Sequence, residues 1–311
     1  MGRGPTCRAV LVGFGMAASL GLAAAAAQEP PNPVDPAQPA TRVDDVIVTN
    51  RPLEEAVEEF VEALSAPARL RGLARWRSEM CIGVVNFRPD AARQIIDQMS
   101  GAADSLGVVL GEPGCSPNLV IVGTRNPDAL ATEMVHRYRR EFFRFGSTRS
   151  NLGPAALAEF QVTDAPVRWW HVSVPMIAGT DMPAFRASGG TGAKPCLQRE
   201  SGASYRYCRK ITDHITRLLI IADFDQLEGV SYAHLADYLT MVGLAQIDPT
   251  SDYSRFETVL NLFGPEEAVT GLTDWDRIYL RALYSAEEAL IDPRGQIARM
   301  APDLRTHQEG D

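Results

Sequence analysis

Between Arg217 and Phe224 the chain carries an unbroken apolar run, Leu218-Leu219-Ile220-Ile221. A strand that borders water on one face alternates apolar and polar residues, so a short continuous run reads as a central, buried strand. Two further strand-like runs precede it, Cys81-Ile82-Gly83-Val84-Val85 and Asn118-Leu119-Val120-Ile121-Val122, and Val167 to Val174 reads as another strand carrying Trp169 and Trp170. The β-branched, alternating stretch Val43 to Asn50 predicts a first strand.

Helical spacing separates these runs. Leu53, Ala56, Val57, Phe60, Val61 and Leu64 share one face, with glutamates on the other. Asp90 can cap a helix whose inner face is Ala92, Ile95, Ile96, Met99 and Leu106. Asn126-Pro127 opens another, turning Leu130, Met134, Tyr138 and Phe142 inward. Tyr232 to Val242, Ser254 to Phe263 and Asp274 to Tyr284 close the chain, the last behind Thr273-Asp274-Trp275-Asp276, a capping box with Asp in place of Glu. The expected fold is α+β, a mixed sheet with packed helices and a helical C-terminal part.

The first 27 residues read as an address rather than as fold. Arg3 and Arg8 precede an apolar run that ends Ala25-Ala26-Ala27 before Gln28, the basic, apolar and small-residue parts of a signal peptide. Cys7 lies ahead of the apolar run, whereas a lipid-anchored Cys would follow it. The expected organisation is a signal peptide over 1–27, a Pro-rich tether over 28–42, an N-terminal α/β subdomain over 43–150, a C-terminal α+β subdomain over 151–300 and a disordered tail over 301–311. The boundary falls in the polar stretch Gly146 to Gly153, and a Gly-rich irregular insertion runs from Ala178 to Ser204.

Charge narrows the partners. The 311-residue chain carries a net charge of −9, and without Arg3 and Arg8 its 28 basic residues face 39 acidic ones, a net −11. A broad nucleic-acid footprint needs clustered positive charge, so no nucleic-acid partner is expected. No later stretch approaches the ~20 apolar residues that span a bilayer, so no integral membrane segment is expected after cleavage. A periplasmic or extracellular location follows, with an unknown cell-envelope protein or peptide as partner.

Cys81, Cys115, Cys196 and Cys208 remain beyond the leader. An even count in an exported chain reads as disulfides. A helix between the runs at 81–85 and 118–122 would set those strands side by side, which favours Cys81–Cys115. Cys196 and Cys208 flank a polar loop and would close it. No Cys-x-x-Cys spacing and no nearby His supports zinc.

Several stretches resemble, in order, an uncharacterised family of exported alphaproteobacterial proteins. They are Arg75-Trp76, Cys115-Ser116-Pro117-Asn118, Leu235-Ala236-Asp237-Tyr238 through Gly243-Leu244, Asn261-Leu262-Phe263, and Leu272-Thr273-Asp274-Trp275-Asp276 with Tyr279 to Tyr284. More distantly, the order resembles zincin metallopeptidases, in which a central strand leads to a helix carrying His-Glu-x-x-His-x-x-Gly and a later helix ends in Leu-Tyr. That resemblance implies a degenerate zincin-like fold. Aligned on Gly243, the two His positions are Ala236 and Thr240, and Asp237 stands where the Glu base belongs. Two His one turn apart hold the zinc in that chemistry, and neither is present.

Other candidates read as ordinary structure. Ser188 to Lys194 resembles a phosphate loop but has Ala193 before the Lys and Pro195 after it. Asp223, Asp225 and Glu228 lack the spacing of a calcium loop and read as acidic turn residues. His136, His171, His214, His234 and His307 are scattered, with no Gly-x-Ser-x-Gly to supply a nucleophile. Residues 43–50 resemble a TonB box, although no β-barrel pattern follows. Trp169 and Trp170 beside Arg168 are a candidate carbohydrate or peptide platform; on a strand they face opposite ways, so one is core and one free.

The expectation is therefore a non-catalytic binding or envelope-interaction module with no catalytic residues, cofactor or metal. Its candidate binding surface is Trp169, Trp170 and Asp237. A secreted zincin-like metallopeptidase with atypical ligands is the alternative.

Overall fold

The computed structural model describes residues 53–67, 72–140, 152–177, 182–183, 211–264, 269 and 271–285. Its four strands are β1 (Ile82–Val85), β2 (Leu119–Thr124), β3 (Val167–Ile177) and β4 (Ile211–Asp223), in the spatial order β1-β2-β4-β3. β1 with β2 and β2 with β4 are parallel, and β3 runs antiparallel to β4. The sheet is mixed and helices cover it, an α+β fold.

β4 is central because its apolar run leaves it no other place. Leu218 and Ile220 face a large core and Leu219 and Ile221 a smaller one behind the sheet, each at most 1% exposed. Burying each such side chain contributes about 2 kcal/mol, so both faces must be covered. Helices α1 (Leu53–Leu64), α2 (Pro89–Ser105), α5 (Tyr232–Leu244) and α6 (Asp274–Ser285) supply the large core, and α3 (Pro127–Arg137) and α4 (Pro154–Val162) the smaller one. β4 also starts well ahead of the run. The segment at Arg75 extends the sheet there, with Arg75 N–H donating to Asp213 O and Ile215 N–H to Arg75 O.

The sheet draws strands from both sides of residue 150. β2 from the first part and β4 from the second share a parallel ladder from Leu119↔Leu218 to Thr124↔Asp223. The Val43–Asn50 strand, the leader and tether, Cys196 and Cys208, the 188–194 loop, Phe142, His307 and the tail lie outside the described residues.

Local corrections have physical causes. α2 begins with Pro89 at its first turn and Arg88 at the cap position, so Asp90 sits inside the first turn instead of capping. Its buried stripe is Ala91, Ile95, Met99 and Ala103, a ridge at four-residue spacing. α5 packs close against this ridge: a Cβ on Gly243 would lie 2.7 Å from Met99 Cε. The apolar rise expected of a helix over 254–263 becomes turns and a short 3₁₀ segment, Val259–Asn261. There Asn261 Nδ2 donates to Tyr253 O and Phe256 O, and Thr258 Oγ1 accepts from Leu260 N, so side chains take the places of the helical ladder. α4 escapes sequence reading because its pattern is barely amphipathic: only Phe160 is buried and Val162 is 65% exposed.

Cys81 and Cys115 form a disulfide, with their Cα atoms 6.1 Å apart. Asn118 completes the corner: its Oδ1 accepts from Cys81 N at 2.8 Å, while Asn118 N and Leu119 N donate to Cys81 O. Non-reducing peptide mapping should recover the Cys81–Cys115 crosslinked peptide, and free thiols at both positions would contradict the pairing.

Candidate functional site

The helix that carries Ala236, Asp237 and Thr240 is α5, which follows central strand β4 after an eight-residue connection. Ser231 caps it, its Oγ accepting from His234 N at 3.2 Å. Leu235, Ala236 and every residue from Tyr238 to Leu244 are buried, so α5 is a core helix and presents no open cleft along that face. Ala236 and Thr240 are fully buried, and the Thr240 hydroxyl donates back to Ala236 O at 2.7 Å.

Asp237 is half-buried rather than on an exposed face. One carboxylate oxygen accepts from Gln98 Nε2 on α2, the other from Leu272 N at 3.2 Å. Gln98 Nε2 also donates to Ala233 O at 3.1 Å. A Cβ on Gly271 would come within 2.8 Å of that second oxygen, so the approach of the 271–272 backbone depends on glycine. Asp237 thus ties α2, α5 and the entry to α6 together.

The far end of α5 is closed by three side chains from three elements. A helix leaves its last four carbonyls without intrahelical partners. Val242 O accepts from His171 Nε2 at 3.0 Å, Gly243 O from Trp76 Nε1 at 2.7 Å, and Leu244 O from Tyr284 OH at 2.8 Å. Trp76 N in turn donates to Tyr284 OH at 3.3 Å, and Arg75 donates to Leu283 O with its guanidinium 6.0 Å from the Tyr284 ring. Burial, reinforced by Arg77, lowers the Arg75 pKa to about 10, and burial raises that of the Tyr284 phenol. Arg75-Trp76, Gly243-Leu244 and Tyr284, quoted above for the resemblance, therefore meet in one latch.

The other quoted motifs act alike. Asp276 is fully buried: its Oδ1 accepts from Thr258 Oγ1 at 2.6 Å, and its Oδ2 from Val259 N at 2.8 Å and Thr273 N at 3.0 Å. Asp276 N donates to Thr273 Oγ1 at 3.1 Å, which completes the capping box at the start of α6. Burial raises the Asp276 pKa against the pull of these bonds.

Both tryptophans are buried, Trp169 at 5% exposure and Trp170 at 3%, so neither is free as a platform. Trp169 donates to Ile247 O at 3.1 Å and packs on Tyr238, while Trp170 packs on Phe160 of α4, the helix that covers the face expected to be open. Arg168, 3% exposed, caps the end of α4 by donating to Phe160 O, Gln161 O and Thr163 O, and pairs with Asp128 of α3.

The remaining candidates do not converge. Asp223 accepts from Asp225 N and Gln226 Nε2 within its own turn, and Asp225 pairs with Arg125. Among the described residues no three His, Cys, Asp or Glu side chains form a metal-holding group. His136 is exposed, His214 bonds the Thr212 hydroxyl at 2.9 Å, and His234 lies in the first turn of α5. A crevice beside Trp169, His171 and Gln246 has room for about one water molecule.

Folding changes the titration of His171. Complete burial, against the opposing pull of its backbone bonds, lowers its pKa from 6.5 to about 4. A lowered folded pKa for a base means that the unfolded chain binds the proton first. The stability tied to neutral His171 is therefore full above pH 6.5 and lost as pH falls toward 4, about 3 kcal/mol in all. Urea unfolding across that range should show the decline in the wild type and a flatter profile in His171→Gln.

Sequence reading missed the latch because its partners lie 167 residues apart for Trp76 and Gly243 and 71 for His171 and Val242. The signals on the page were the motifs themselves, Arg75-Trp76, Gly243-Leu244 and Tyr284. Comparison with protein-family models, with curated proteins and with solved structures finds no match.

Proposed function

We propose that the protein is an exported binding or envelope-interaction module, stabilised by disulfide and latch, that performs no catalysis through α5. The observation that carries this reading is the commitment of the helix's polar groups. The oxygens of Asp237, the Thr240 hydroxyl and the carbonyls of residues 242–244 all bond inside the fold. General-base or metal chemistry needs such groups aimed at a substrate, within hydrogen-bond reach of it.

One observation favours common ancestry with zincins: central β4 leads into α5, and α6 carries Leu283-Tyr284 near its end. On that view the metallopeptidase scaffold was retained while its ligand positions became packing positions, Ala236 and Thr240. The peptidase alternative would need ligands from elsewhere.

Export and envelope contact are testable together. Intact-mass analysis of the envelope fraction should find a chain cleaved near Ala27, and crosslinking in intact cells should trap it in discrete adducts. A chain retaining residues 1–27 and confined to the cytosol would contradict the reading.

A further inference from the structure

Among the described residues, arginines collect at one end of the sheet's outer face. α3 leaves the carboxyl end of β2 after two residues and packs Ala131 on the outer face of the sheet, so it runs back toward the start of β2. Its last turn holds His136 and Arg137, and Tyr138, Arg139 and Arg140 follow; all five are exposed. Arg217, also exposed, lies opposite Val172 of the outer face and one residue ahead of Leu218, which is level with Leu119, the first residue of β2. Four arginines therefore gather at one end of the outer face of a chain whose net charge is −9.

Helix-dipole complementarity accounts for a cation in the last turn of α3, but not for Arg139 and Arg140 beyond it. The exposed pair of Arg137 with Glu133, at 3.5 Å, is worth little. We propose that this end binds the surface of an anionic lipid bilayer peripherally, a partner that rests on the envelope-facing reading above. Charge complementarity selects this occupant. A flat anionic surface can be met end-on while the acidic remainder stays in water, whereas a nucleic acid long enough to be held would run along that remainder. Arginine stems and the Tyr138 ring, 38% exposed, suit the headgroup region. No described helix is long and apolar enough to cross a membrane, which keeps the contact at the surface.

Each arginine near an anionic surface contributes about 1 kcal/mol, roughly fivefold in partitioning. Sedimentation of the purified chain with vesicles holding about one-third phosphatidylglycerol, beside neutral phosphatidylcholine vesicles, reads this directly. Binding should be confined to the anionic vesicles and lost in about 1 M salt, where the Debye length is about 3 Å. R137Q/R139Q/R140Q should lower partitioning roughly a hundredfold and R217Q about fivefold. The matching Arg→Lys variants should retain it, and R255Q, which removes an exposed arginine bonded to Glu59 on α1, should leave it unchanged. Equal binding to neutral vesicles, an unaffected triple variant, or tighter salt-sensitive binding to a single-stranded oligonucleotide would overturn the proposal. Because only protein and lipid are present, a cytosolic location would defeat the envelope reading without deciding this one.

Discussion

Trp76→Ala should lower the unfolding free energy by about 5 kcal/mol. Trp76 is 2% exposed, and truncating a buried aromatic costs about 3–5 kcal/mol through lost burial and the cavity left behind. The substitution also strips Gly243 O of its donor inside the core, a further cost of about 1–3 kcal/mol. Trp76→Phe separates the two contributions: it keeps most of the ring volume and should cost about 2 kcal/mol, mainly the orphaned carbonyl. Tyr284→Phe removes both the donor to Leu244 O and the acceptor for Trp76 N and should cost about 1–2 kcal/mol. Because Trp76 and Tyr284 touch through Trp76 N, the double variant should fall short of the sum. Chemical denaturation measures all of these, and a Trp76→Ala loss below about 1 kcal/mol would remove the latch as a stabilising device.

Asp276→Ala should cost about 4 kcal/mol. The carboxylate is the shared acceptor for a hydroxyl and two backbone N–H groups, none of which has water at hand when it is gone. Leaving such donors buried and unpaired costs about 1–3 kcal/mol each, offset in part by no longer burying the carboxylate. Asp276→Asn keeps an acceptor but sets an amide N–H₂ against backbone donors, so it should fall between alanine and wild type. The 258–262 turn should also lose hydrogen-exchange protection ahead of α2 and β4, since Asp276 ties that turn to α6. Equal loss everywhere would mean that the carboxylate does not anchor it.

These two sites show which parts of the fold the sequence discloses. β4 is legible because an unbroken apolar run admits no half-exposed placement. α1 and α6 are legible because their faces alternate with the helical period. The Cys81–Cys115 bond follows from placing two strands beside each other. Tertiary context decides what remained hidden. α4 lacks a periodic face, so the layer that buries Trp170 could not be anticipated, and the alternation rule then left one tryptophan free. The 254–263 stretch has the apolar content of a helix but is held as turns by Asn261, Thr258 and Asp276. Asp237 reads as a surface carboxylate until Gln98, 139 residues away in sequence, is brought against it.

Arg75, Trp76, Gly243, Leu244, Asp276 and Tyr284 fasten the fold without assembling a metal site. Placed at helix ends and loop entries, these residues fix how α5, α6 and the 72–76 segment dock. Metal chemistry of the zincin type asks for something else, two imidazoles one turn apart, whereas Ala236 and Thr240, one turn apart on α5, are fully buried.

The most direct test is elemental analysis of the dialysed protein together with a broad peptide-library digest, with and without chelator. The account predicts no stoichiometric zinc and no chelator-sensitive cleavage, with Asp237→Ala changing stability alone. Stoichiometric zinc with cleavage that both chelator and Asp237→Ala abolish would contradict it.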